Sequence, residues 1–176
     1  MTNTRAFLTA SAALLAAALP CAASAASFEV ESSMPARILA LHNRERAAVG
    51  APPLAWDPAL AASAASYGPT LASLGHLVHS PRETRPGQRE NLAMGSTGYY
   101  AVEDLVGFWV GEKANFQPGL FPNVSRTGYW KDVAHYTQMI WKGTTNVGCA
   151  LYRDGGRDYL ICRYSPPGNA DGRPVP

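Results

Sequence analysis

Ala134-His135-Tyr136-Thr137-Gln138-Met139-Ile140-Trp141 sets a titratable imidazole inside an otherwise apolar and aromatic run. That placement is costly unless the ring finds partners, because a buried polar group gives up its water. Helical spacing places His135 beside Gln138 and Met139, turns Tyr136 and Ile140 toward the core, and stacks Thr137 under Trp141. A helix with a single core-facing stripe does not need this mixture. The octet therefore reads either as a core histidine held by a carbonyl or as one wall of a site.

Downstream lies a hairpin whose register follows from its turn. Asp154-Gly155-Gly156-Arg157 offers a two-residue primed turn, so Asp154 faces Arg157 and Cys149 falls opposite Cys162. Counting outward, that pair is non-hydrogen-bonded, with Cα atoms about 4.5–5.5 Å apart, and a disulfide fits there. Closing so short a loop contributes on the order of 2–3 kcal/mol, as a staple with no redox role. The Pro/Gly-rich tail from Ser165 to Pro176 is expected to cross the surface without regular structure.

Upstream, Val102, Leu105, Val106, Trp109 and Val110 recur at helical spacing as a buried stripe. Glu112 extends that stripe, and a carboxylate on a core face requires a partner, a shifted pKa or a site to line. Between this helix and the octet, residues 115–129 have no period. Phe116, Leu120 and Phe121 stand exposed in that loop on this reading.

Earlier still, Asp57-Pro58 reads as N-cap and first helical residue of an alanine-rich helix running to about Leu74, broken at Gly68-Pro69. Before it, Pro35 opens a helix that carries Ile38, Leu41, Ala48 and Val49 inward and ends at Gly50. Asn43 and Arg46 on that helix either brace neighbouring loops or sit on a solvated face. Pro81 to Arg89 is a charged loop, followed by Glu90-Asn91 leading into an apolar run.

Residues 1–25 have the single cation (Arg5), apolar run and small-residue cleavage site of a secretory signal peptide, and 26–34 read as a loose arm. Residues 35–176 then form one domain. Removing the leader takes away Arg5 and no acid, so the net charge falls from +2 to about +1. With no basic block, nothing points to nucleic acid. Loss of Cys21 with the leader leaves the Cys149–Cys162 pair for an oxidising compartment.

His42-Asn43-x-x-Arg46, Pro53-Leu54-x-Trp56-Asp57, His79-Ser80, Glu90-Asn91-Leu92-Ala93, Trp109-x-x-Glu112-Lys113, His135-Tyr136-Thr137-Gln138-x-x-Trp141, Gly148-Cys149-Ala150 and Cys162-x-Tyr164-x-Pro166-Pro167-Gly168-Asn169 occur in one order. In that order and spacing the chain resembles the CAP superfamily (cysteine-rich secretory proteins, antigen 5 and pathogenesis-related 1 proteins). It looks closest to the pathogenesis-related 1 branch. The resemblance implies an α+β fold, a three-layer α-β-α sandwich with a central antiparallel sheet. It also implies a cleft built by His79, Glu90, Glu112 and His135. Arg89 and Ala134 stand where the family has glycine, adding a cation beside Glu90 and bulk beside His135. The single remaining disulfide suggests a bacterial member, secreted or periplasmic and monomeric.

Two imidazoles and two carboxylates suit Zn²⁺ or another divalent metal, with His79 and His135 as ligands and Glu90 and Glu112 as outer partners. A binding module is preferred. The alternative is a metal-dependent peptidase or esterase using Glu90 or Glu112, or Ser80 as nucleophile; against it, no nucleophile elbow is present. A further alternative, implied by the resemblance, is a sterol or lipid carrier gated by Phe116, Leu120 and Phe121. Once processed, the chain is not expected to be an integral membrane protein.

Overall fold

The computed structural model describes Met1 and residues 33–176. The expected signal peptide, Cys21 and nearly all of the expected arm lie outside the described residues. Ser33 caps helix α1 (Met34–Ala48), its hydroxyl accepting from the Ala36 amide, so the helix starts one residue before Pro35. The extended Pro52-Pro53 segment leads into β1 (Ala55–Trp56). Asp57 Oδ1 accepts from the Ala59 and Leu60 amides and starts α2 (Pro58–Ala65) as expected. Gly68-Pro69 ends that helix and opens α3 (Gly68–Leu74), which closes on Gly75 in the left-handed region.

The chain continues through a 3₁₀ turn (Arg82–Thr84), β2 (Arg89–Ser96) and α4 (Val102–Gly111). A second 3₁₀ turn (Glu112–Asn115) and the two-residue β3 (Gly119–Leu120) follow. A third 3₁₀ turn (Trp130–Val133) runs into α5 (Ala134–Met139), and β4 (Asn146–Arg153) and β5 (Arg157–Ser165) form the hairpin. The tail is not wholly irregular, because β6 (Pro174–Val175) pairs with β3.

The main sheet has the order β1-β4-β5-β2. β2, β4 and β5 are antiparallel, but β1 runs parallel to β4, so the sheet is mixed where an antiparallel one was expected. No hairpin joins β1 to β4, so nothing local dictates its direction. Cys149 pairs with Cys162 in the predicted register, their Cα atoms 4.1 Å apart in the observed disulfide.

Alternation along β5 divides the core. Leu160, Cys162 and Tyr164 pack with Ile38, Leu105 and Trp109 on one face, while Tyr159 and Ile161 pack with Ala64 and Leu71 on the other. Helices α1, α4 and α5 thus cover one face and α2 and α3 the other, giving the three layers. Among the described residues no helix is long and apolar enough to cross a membrane.

Helix α1 departs from its apolar pattern. Its buried residues are Ile38, His42, Glu45 and Arg46, whereas Ala48 is exposed. Polar groups occupy this face because each has a partner. Asn43 exchanges two hydrogen bonds with the Leu54 backbone, so the bracing reading holds. His42 Nδ1 donates to the Ile38 carbonyl, which leaves Nε2 to accept from the Tyr164 hydroxyl. Tyr164 in turn accepts from Asn91 Nδ2, which also donates to the His135 carbonyl.

Burial, helped by the Arg46 charge and opposed by the Ile38 hydrogen bond, pushes the His42 pKa down to about 4. Unfolded, the same ring takes its proton near pH 6.5. Between those values the unfolded state holds more protons, so stability falls as pH drops from 6.5 toward 4. The expected loss is about 3 kcal/mol over that window. Urea unfolding at pH 7 and pH 4.5 reads it, and a His42→Gln protein should show a correspondingly shallower dependence.

Candidate functional site

Glu90 is the second residue of β2, on the face that looks toward α2 and α3, and its side chain is fully buried. Its Oε1 accepts from His79 Nδ1 at 2.7 Å and from the Ser80 amide at 3.0 Å. Oε2 accepts from the Ser80 hydroxyl and from Arg163 Nη2, both at 3.0 Å. Burial alone would raise this carboxyl's pKa. The His79 bond, the Arg163 charge and the Ser80 amide outweigh it and hold the pKa below the usual carboxylate range.

Glu112 begins the turn after α4 and reaches the N-terminus of α5. Its Oε1 accepts from His135 Nδ1 at 2.5 Å, and its Oε2 accepts from the His135 and Tyr136 amides at 2.9 Å each. One carboxylate thus satisfies two helix-end donors and orients the ring it caps. The His135 imidazole stacks on Trp109, centroids 6.1 Å apart and planes within 18°. The partner required of an acid on the α4 stripe is therefore His135.

The two pairs share one logic. A carboxylate only accepts, so Nδ1 of each imidazole carries a proton, and Nε2 is the nitrogen that holds a lone pair in the ring's neutral form. Among the described residues, neither Nε2 has a hydrogen-bond partner. His79, Glu90 and His135 line a single open cavity of about 600 Å³, with Glu112 behind His135. The four residues singled out in the sequence come together as two carboxylate–imidazole pairs.

Other parts of the site had little or no sequence signal. Arg163 reaches Glu90 because it stands opposite it in the β2–β5 register, which no turn specifies. Asn91 follows Glu90 directly but points to the other face of the strand, where it ties His135 to Tyr164. Asn169 bonds the Ala134 carbonyl and Thr137, so the tail fastens α5 from outside. The charged loop from Pro81 to Arg89 supplies Arg82, Arg85 and Arg89 to the cavity wall.

The aromatic loop is corrected in one respect. Phe116 and Phe121 are buried, packed with Val124, Tyr136 and Trp141, and of the three candidates Leu120 alone is exposed. Apolar side chains with core within reach fold inward. Phe121 still contributes an edge to the cavity beside Trp130.

Among the described residues there is no group of three or more histidine, cysteine or acidic side chains placed to hold a metal.

The family model of the cysteine-rich secretory proteins, CAP, matches residues 39–164. The chain belongs to that family. A pathogenesis-related protein of PR-1 type from Sambucus nigra is 35% identical over 147 residues, spanning 83% of this chain and 84% of the relative. Pathogenesis-related protein 1C from Nicotiana tabacum is 38% identical over 133 residues, 75% of this chain and 74% of its own. Among solved structures, that of NaASP2 with Zn²⁺ superposes with a TM-score of 0.67 at 26% identity, covering 81% of this chain and 85% of that one. This CAP chain thus shares most of its length with relatives named for the pathogenesis response.

Proposed function

We propose that this CAP domain is a secreted binding module whose cleft takes up a divalent metal ion, zinc in the first instance, through Nε2 of His79 and His135. One observation carries the reading: both rings have Nδ1 held by a carboxylate and, among the described residues, Nε2 without a hydrogen-bond partner, on the same cavity. Carboxylates so placed fix the tautomer and raise the basicity of a ligating imidazole. The related NaASP2 structure holding Zn²⁺ supports the choice of ion. Zinc, when bound, supplies concentrated positive charge and coordination positions open to a ligand. The signal-like leader and the pathogenesis-related relatives support an extracellular interaction role.

Binding is favoured over hydrolysis by how the acids are used. Glu90 accepts four donors, and Glu112 accepts three. Ser80 Oγ donates to Glu90 and accepts from Arg85 Nε, with no histidine hydrogen-bonded to it among the described residues. The residues in the cleft hold protons at Nδ1 and orient Nε2.

Calorimetric zinc titration tests the proposal. The wild type should saturate near one equivalent, His79→Ala/His135→Ala should bind at least ten-fold more weakly, and Glu90→Gln about ten-fold more weakly through loss of orientation. Equal zinc binding by the wild type and the double-histidine protein would remove the idea.

A further inference from the structure

The cavity that holds the two imidazoles has a cationic wall. Arg82, Arg85 and Arg89 all line it, contributed by one eight-residue stretch between the 3₁₀ turn and the start of β2. Of the acids lining the cavity, Glu90 is answered by Arg163, which leaves Asp171, whose charge acts on Arg89. Asp171 makes no ion pair with these arginines among the described residues. Glu83 belongs to the same turn but does not line the cavity.

The three guanidiniums are differently held. Arg85 is 6% exposed and anchored, its Nε on the Ser80 carbonyl and hydroxyl and its Nη1 on the Gln88 carbonyl, with no carboxylate in ion-pair contact among the described residues. Arg89 is half-buried and engages Nε alone, on the Gly168 carbonyl, so its terminal amino groups are unpartnered among the described residues. Arg82 is exposed, and its guanidinium has no hydrogen bond or ion pair there. Burial, then the charges of Arg82 and Arg85, lower the Arg89 pKa against the opposing pull of Asp171, as expected of cations crowded together. The same cavity has an aromatic part, with Trp130 and Phe121 edge to face at 5.3 Å.

Three cations at a cavity where Asp171 is the remaining acid leave an excess of positive charge, which disfavours the bare site and favours an incoming anion. Planar guanidiniums with free terminal amino groups match the oxygens of a carboxylate or phosphate. We infer that the cleft binds a small organic anion, its phosphate or carboxylate group held by Arg82 and Arg89 over Arg85 and its ring or apolar body laid against Trp130 and Phe121. This rests on the reading of the cleft as a binding site and names the class of ligand it takes. The same wall repels a bare divalent cation, so the anion also offsets that repulsion at His79 and His135.

Phenyl phosphate and inorganic phosphate, titrated calorimetrically into metal-free protein at low ionic strength, test the inference. Phenyl phosphate should bind saturably near one equivalent and more tightly than inorganic phosphate, with an affinity that falls as salt is added. Arg82→Gln, at a side chain with no partner to lose, should weaken binding several-fold, and Arg82→Gln/Arg89→Gln at least ten-fold. Lys142→Gln, an exposed cation outside the cleft, should leave it unchanged. Thermal melts of each protein report folding. Wild-type affinity in Arg82→Gln and in the double-arginine protein, or equal weakening by Lys142→Gln, would each overturn the inference. Failure of zinc to bind while phenyl phosphate still does would remove the metal reading and leave the anion site standing.

Discussion

Arg46→Met should lower the unfolding free energy by about 4 kcal/mol, a loss at the upper end for a single substitution. The guanidinium is fully buried and donates to four backbone carbonyls: Pro52 through Nε, Met139 and Trp141 through Nη1, and Thr144 through Nη2. Burial lowers its pKa to about 10, so it stays charged at neutral pH. Methionine fills much of the volume but leaves four acceptors facing an apolar group, at about 1–3 kcal/mol for each that water cannot reach. Relief from desolvating the cation offsets part of that cost. Two of the carbonyls lie at the C-terminal end of α5, where positive charge is favoured. Because α5 carries His135, Arg46→Met should also weaken zinc binding. Arg46→Lys, with three donors and no fork, should recover only part of the loss. Urea unfolding measures both, and a loss below about 1 kcal/mol at an unchanged m-value would sink the argument.

Gly148→Ala should cost about 3 kcal/mol or more, although it adds a single methyl group. Gly148 lies on β4 where the strand passes under the first turn of α2. A Cβ there would stand well inside van der Waals contact of the Ala61 amide nitrogen and the Asp57 carbonyl, and 2.7 Å from Leu60 Cβ. Two of these are backbone atoms of a capped helix, so no rotamer change relieves them and the layers must separate. At this chain length the melting temperature should fall by about 6–12 °C. By contrast, Gly156→Ala meets nothing closer than 3.9 Å and is the matched control. An unchanged melting temperature for Gly148→Ala would show that the α2–β4 contact is looser than its geometry.

The hairpin, the capped start of α2 and the α4 stripe were legible because each is written in neighbouring residues. Turn chemistry at Asp154-Gly155-Gly156-Arg157 sets the register that brings Cys149 to Cys162. Asp57 finds its amide partners two and three residues away. Ala48 failed as a core residue because apolar periodicity cannot see a face made of satisfied polar groups, as His42 and Arg46 make on α1. Phe116 and Phe121 were misplaced for a related reason: a loop without a period does not announce which of its aromatics reach a core.

From the sequence alone came the family, the layers, the disulfide register and the suspicion that Glu112 and His135 are polar residues needing partners. Tertiary structure decided the pairing of Glu90 with His79 and of Glu112 with His135. It also decided that Arg46 answers carbonyls 93 to 98 positions away and that a solvent-facing charged loop becomes the wall of a cleft. Periodicity and turns act within a few residues and leave a local trace. Hydrogen-bond partners across layers are chosen by how helices and strands pack, and that choice exists only once the chain is folded.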